Sequence, residues 1–280
     1  MLEFLPAIGS LLAYGSMGTA SKSAINNMGR HRAVAYSYAV LVCLLAIGAI
    51  IIGSAVSFPQ ELLGAFALQI VIGALGSISE YKALHHGKAS VIVPVGRISS
   101  VLVLAASIAF LSETPGVFQI TGALMIVCAA LVVARDEGGK ARVEPWMPYL
   151  ALSILCRAYY YTSIKDFVSA LGPFQASLFL ECGIAAFIIS FHLLRGKDLS
   201  LPKPAGLAAP AIAAGCLLFI GSLLYSYSVG SIGAGMTSAI YAGTPIVNTA
   251  LAYFVLGEKL DRMKYAAIAL MVLGLLMIFA

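Results

Sequence analysis

Long apolar runs separated by short polar turns account for nearly the whole chain. Ten can be read, at approximately 5–21, 33–53, 62–84, 89–111, 117–134, 146–163, 174–194, 205–229, 234–256 and 263–279. A helix needs about 20 mostly apolar residues to cross a hydrocarbon layer roughly 30 Å thick, and these runs have about that length. They are continuously apolar rather than alternating with a period of two, which excludes β-barrel strands. Most connections are tight turns marked by Gly, Pro or charge, such as Ser57-Phe58-Pro59-Gln60-Glu61 and Ser112-Glu113-Thr114-Pro115. The pattern predicts an all-α integral membrane protein with ten transmembrane helices and no soluble domain.

The runs also repeat. Phe110-Leu111-Ser112-Glu113 is matched by Val255-Leu256-Gly257-Glu258, with the two Glu residues offset by 145 positions (258 − 113). The closing run of each half carries the same triplet, Ala123-Leu124-Met125 and Ala269-Leu270-Met271. The chain therefore divides into a first five-helix repeat at 1–135, a linker at 136–145 and a second five-helix repeat at 146–280. An odd number of crossings makes the second copy enter from the opposite side, the inverted-repeat plan of secondary transporters. The first run is expected to be a mature helix rather than an export signal. It starts Met1-Leu2-Glu3, with an acid where a signal has basic residues, and it pairs by repeat with the sixth run.

Composition agrees with the pattern. The chain is 61% hydrophobic and 10% charged, with a mean hydropathy of +0.97, too few charges to cover a soluble surface. Of its 17 Lys and Arg residues, only Arg97, Arg157 and Lys165 fall outside the turns that follow odd-numbered helices. The net charge of +5 thus reads as membrane-side bias and not as a nucleic-acid footprint. Short positive loops stay cytoplasmic, so both termini are expected on the extracytoplasmic side of the cell membrane. The five cysteines all lie within apolar runs without paired spacing and are read as small buried hydrophobes.

Four ionisable residues fall inside helices: Glu80, Arg97, Arg157 and Glu181. A charge at the bilayer centre costs about 2.5–3.5 kcal/mol on insertion scales and needs a partner or a wet cavity. Two readings stand. In one, Arg97 and Arg157 hold an anionic substrate group and the acids carry protons. In the other, Glu80 pairs with Arg97 and Glu181 with Arg157 to fix packing. Gly96 and Ser99-Ser100 clear space beside Arg97, and a guanidinium can grip a carboxylate or phosphate in bidentate fashion. Asn248, three residues after Pro245, is a polar cavity candidate because the proline frees a backbone carbonyl nearby. Glu113 and Glu258 are read as gate or turn residues, and His85-His86 as a solvated basic turn rather than a metal site. Gly73, Gly76 and Ala239-x-x-x-Gly243 permit close helix approach.

Ten helices in two halves, with Leu-x-Glu closing the fourth and ninth, resemble the drug/metabolite transporter superfamily of EamA type. Further matches are Ala83-Leu84 with Ala89-Ser90 leading into helix four, Thr244-Pro245 ahead of Glu258, and Lys22 and Lys165 near the ends of helices one and six. The first half departs at Ser100, the position equivalent to Pro245, and at Arg97, a cation that is not a general family feature. The resemblance implies that helices one, six, eight and nine line a central cavity, which would place Tyr14, Tyr159, Tyr225 and Tyr241 there. Of Tyr159, Tyr160 and Tyr161, one or two at most can face it, since successive residues turn by about 100°.

The expected activity is secondary transport of a small polar organic metabolite, amino-acid-like or otherwise anionic or zwitterionic, by alternating access. Export of drugs or a lipid-linked sugar is the alternative. A membrane-embedded enzyme ranks lower because no catalytic cluster accompanies His192 or His85-His86. The expected substrate site comprises Arg97, Arg157, Glu80, Tyr14, Tyr159, Tyr225, Tyr241 and Asn248. No cofactor, metal or nucleic-acid partner is expected; the partners are the small-molecule substrate and the lipid bilayer. The oligomeric state is open between monomer and homodimer, and coupling between exchange and proton antiport. A reporter fused after Ala280 should show external phosphatase activity and no cytoplasmic fluorescence; the reverse would overturn the orientation.

Overall fold

A computed structural model describes residues 2–53, 58–134, 144–257 and 262–279. Twelve α-helices make up the described residues, with three short 3-10 turns and no strand. They are α1 (Leu5–Met28), α2 (Arg30–Ile52), α3 (Leu63–His86), α4 (Ala89–Gly96), α5 (Ile98–Phe110), α6 (Val117–Ala134), α7 (Met147–Leu171), α8 (Pro173–Leu194), α9 (Ala209–Ile232), α10 (Ala234–Tyr241), α11 (Thr244–Leu256) and α12 (Arg262–Phe279). Among the described residues, six spans are long and apolar enough to cross a membrane: Arg30–Ile52, Gln60–His86, Ala89–Phe110, Pro173–Leu194, Ala205–Ile232 and Ala234–Leu256. α6 and α12 contain shorter apolar stretches, Val117–Ala129 and Tyr265–Ile278. Large apolar side chains such as Ile50, Phe110 and Leu194 stand exposed around the outside, which suits lipid and not water.

The helices differ from the sequence reading in two ways. The first and sixth runs do not stop at their first polar residues but continue to Met28 and Leu171. Their ends are set by Gly29 and Gly172, whose φ of 79° and 80° a side chain would resist. The fourth and ninth runs, read as single helices, are each broken in two. Pro94 has no N–H to give the preceding turn, and the Arg97 amide bonds back to the Pro94 carbonyl at 3.0 Å, tightening the helix before α5 begins. In the second half the break falls at Ala242 and Gly243, just before Pro245 in the first turn of α11. Arg97 and Ala242 are 145 positions apart, the repeat offset of the paired Glu residues.

Packing is matched between the halves. α1 lies along α9 as α7 lies along α3, and α2 flanks α9 as α8 flanks α3. The broken rods cross, α5 against α10 and α4 against α11, and α6 pairs with α12. Small residues set these approaches, as expected where apolar helices gain little from leaving lipid. A Cβ on Gly274 of α12 would stand 2.6 Å from the Gly122 carbonyl oxygen of α6, and one on Gly221 of α9 would stand 2.9 Å from the Tyr14 ring. The cysteines divide, with Cys156 buried while Cys43 and Cys128 are exposed on the apolar outer surface. Those two are therefore not the buried hydrophobes expected; an apolar run in a membrane presents as many residues to lipid as to its neighbours.

Glu113 is a turn residue with a defined task. Its carboxylate accepts the N–H groups of Ala234 (3.0 Å) and Gly235 (2.8 Å), and Lys165 donates to it at 2.7 Å. It thus caps the positive N-terminal end of α10. Gly235 has no Cβ for this reason, since one would collide with Ser107 and Glu113. Glu258, the other expected gate residue, lies outside the described residues.

Burial opposes ionisation of Glu113, but Lys165 and the two amides outweigh it and hold the carboxyl below the usual carboxylate range. The stabilisation is then full above the unfolded value of about 4.3 and fades as pH falls through the depressed native value. Glu113→Gln should cost about 1–2 kcal/mol of stability at pH 7, less than ideal charge-assisted bonds because the cluster is partly exposed. Thermal unfolding in detergent should show that gap closing as the pH is lowered below about 4. A gap of unchanged size across the pH range would exclude the carboxylate as its source.

Candidate functional site

Four helices bring tyrosine rings together at the crossing of the broken rods. Tyr161 (α7) lies 4.6 Å from Tyr225 (α9) and 5.4 Å from Tyr241 (α10), ring centre to ring centre. Tyr14 (α1) meets Tyr241 edge-on at 5.1 Å. The Tyr161–Tyr241 and Tyr14–Tyr241 pairs are edge-on, an arrangement that the ring quadrupoles favour, and Tyr161–Tyr225 is tilted. The Tyr161 and Tyr241 hydroxyls are 3.3 Å apart.

Two arginines bracket the cluster. Arg157 donates from Nη1 to the Tyr161 hydroxyl at 3.0 Å, one helical turn away, and from Nη2 to Glu80. Glu80 can reach it because Gly76, a turn earlier on α3, lets that helix close on Cys156 of α7. Arg97, at the α4–α5 break, stacks over the opposite partner: its Cζ is 4.2 Å from the centre of the Tyr241 ring. Arg97 is 3% exposed, and its Nε and Nη1 have no hydrogen-bond partner. No carboxylate among the described residues pairs with it. On α8, Glu181 is also buried; one oxygen accepts from the Tyr160 hydroxyl at 3.4 Å and Oε2 has no partner.

Neither pair of the packing reading is therefore present. Glu80 meets Arg157, and neither Arg97–Glu80 nor Glu181–Arg157 forms. Sequence distance could not resolve this, since both choices place an acid and a base at similar depth.

Between the cage and α3 lies a cavity of only about 20 Å³, lined by Tyr14, Tyr38, Arg157, Tyr160, Tyr161 and Glu181 among others. That is room for one water molecule.

Of the expected residues, Tyr14, Tyr225, Tyr241, Arg97 and Arg157 converge here, with Glu80 behind Arg157. Tyr159 does not. It is 41% exposed on the outer side of α7, and Tyr160 and Tyr161 face inward instead. The signal was available: Tyr161 is four residues from Arg157 and shares its face. Asn248 is fully buried, and its amide takes part in helix packing. It donates to the Ala89 carbonyl at 3.1 Å and accepts from Thr19 at 3.2 Å, with Gly18 making room for it. It ties α11 to α4 and α1 through one N–H and one lone pair of the amide. Pro245 does not free a carbonyl inside a helix, because it sits where α11 begins.

The model of the EamA-like transporter family matches the chain twice, at residues 1–135 and 144–280. A solved crystal structure, titled only as that of a protein, superposes with a TM-score of 0.75 over 98% of this chain and 95% of its own. At 17% identity it speaks to the fold alone. An uncharacterized protein of Methanocaldococcus jannaschii, MJ1333.1, is 33% identical over 75 residues, which is 27% of this chain and 55% of that relative's length. With its apolar spans, its duplicated match and its fold, the chain is a multi-pass membrane protein that belongs to the EamA-like transporter family.

Proposed function

We propose that the protein is a secondary transporter of a small organic anion or zwitterion, carried by alternating access between two inverted five-helix halves. In this reading the halves are 1–135 and 146–280, ten helices span the cell membrane, and both termini lie outside. The observation that carries the substrate class is Arg97. A desolvated guanidinium with two unpartnered nitrogens and no acid among the described residues is costly, and a carboxylate entering beside it would relieve that cost. The fork matches a carboxylate in bidentate geometry, while the tyrosine rings offer apolar faces to the rest of the molecule. Arg97 and Tyr241 sit at the two helix breaks, so opening either rod would present both to a ligand. Discontinuous helices meeting at a repeat interface are where transporters of this plan place their sites. The reading also makes the protein a carrier and not an enzyme.

Export of an organic cation is the second reading, and one observation favours it: the unpartnered oxygen of Glu181 beside a ring-lined cavity. Any proton coupling would then fall to Glu181, because Glu80 is engaged by Arg157.

Counterflow into proteoliposomes with a panel of labelled amino acids, carboxylates and amines separates the two. Arg97→Lys should fold, with an unchanged elution profile, yet transport its anionic substrate at least about tenfold more slowly, because an ammonium cannot reproduce the fork. Carriage of carboxylates at the wild-type rate by Arg97→Lys would remove Arg97 from the site. Carriage of amines alone, abolished in Glu181→Gln, would establish the cation reading.

A further inference from the structure

A second cavity, of about 320 Å³, opens where the first turns of α2 and α7 meet the last turns of α3 and α8. Its lining shares no residue with the tyrosine cage. Four permanent cations face it, Arg30, Lys82, Arg195 and Lys197, with the imidazoles of His31 and His192. No Asp or Glu among the described residues lines it. Asp198 follows Lys197 in the chain, but it is occupied by an ion pair with Arg32 and by the Ser200 amide.

Lys82 is held over the Tyr149 ring, 3.9 Å from its centre, and Arg195 over Phe191 at 4.4 Å. Rings of this kind orient a cation without neutralising it. His192 is 3% exposed, and neither of its ring nitrogens has a hydrogen-bond partner. It packs edge-on against His31 at 4.7 Å, and the Nδ1 of His31 is also unpartnered. Buried polar nitrogens are ordinarily satisfied, and like charges crowded without a counter-ion repel. Both irregularities vanish if an anion occupies the space.

We infer that this cavity binds a phosphate-bearing anion at the membrane surface, either the headgroup of an anionic lipid or a soluble phosphate ester. Guanidinium forks and ammonium groups are the donors such a group takes. The volume accommodates a phosphate with a substituent of glycerol or sugar size, at the lower end of ligand pockets. The cavity lies on the face that carries the positive turns, where anionic lipid headgroups gather on the cytoplasmic side of a membrane.

The full-length protein would be tested in two arms. Thermal unfolding with inorganic phosphate, against chloride at equal ionic strength, reads the soluble source. Native mass spectrometry with phosphatidic acid, against phosphatidylcholine of equal chain length, reads the lipid source. Wild type should bind at least one phosphate probe in preference to its reference. Arg195→Gln and Lys82→Gln should each weaken that binding by about tenfold or more, and Lys203→Gln, which removes an exposed charge outside the lining, should not. A response to phosphate assigns a soluble ester, and one to phosphatidic acid alone assigns a lipid. Two results would overturn the site: no preference in either arm, or equal weakening by Lys203→Gln and the lining variants.

Discussion

In hydrocarbon, every backbone N–H and carbonyl must find a partner within the protein. That requirement decides where this chain can interrupt its helices. Breaks facing lipid would leave polar groups unmet, so both breaks lie in the interior, where α4 and α5 cross α10 and α11. Each break is tightened by a three-residue turn, from the Arg97 amide to Pro94 and from the Gly243 amide to Ile240. The new helix ends need caps, and the chain supplies one across the repeat boundary, with Glu113 of the first half holding the start of α10 in the second. Side chains at the breaks are consequently displaced from regular helical register into the centre of the protein. Arg97 and Tyr241 owe their meeting to this.

Charge inside the membrane follows a similar economy. Lys165 lies within α7, and Glu113 neutralises it. Glu80 does the same for Arg157. Once these pairs are made, Arg97 and Glu181 are left within the helices without ionic partners among the described residues. Arg97 lies over the Tyr241 ring, and Glu181 accepts from the Tyr160 hydroxyl. A carrier that needs polar groups for a ligand, yet cannot afford many in lipid, keeps a few such groups uncommitted and ties the remainder down.

Much of the architecture was legible because its causes are local. Helix existence follows from apolar run length, and the duplication from the matched Glu and Ala-Leu-Met positions. The breaks were less legible, since Pro94 and Pro245 sit differently relative to them and a hydropathy run does not register a kink. At the site, Arg97 and the tyrosines of α1, α9 and α10 could be selected because charge or aromaticity inside a span is conspicuous. Choosing Tyr159 over Tyr161 ignored the face already fixed by Arg157. Asn248 shows a different limit: its hydrogen bonds run to residues 159 and 229 positions away, and no local pattern reports which atoms of a buried amide are engaged in packing.

The smallness of the central cavity has a consequence for the cell. A space with room for one water cannot hold a hydrated ion, nor the continuous water file along which ions or protons would leak. An ion reaching this point would have to give up its hydration shell. Beside the tyrosine cage, then, a bare charge meets the full cost of desolvation, and the packing there opposes leakage at this point.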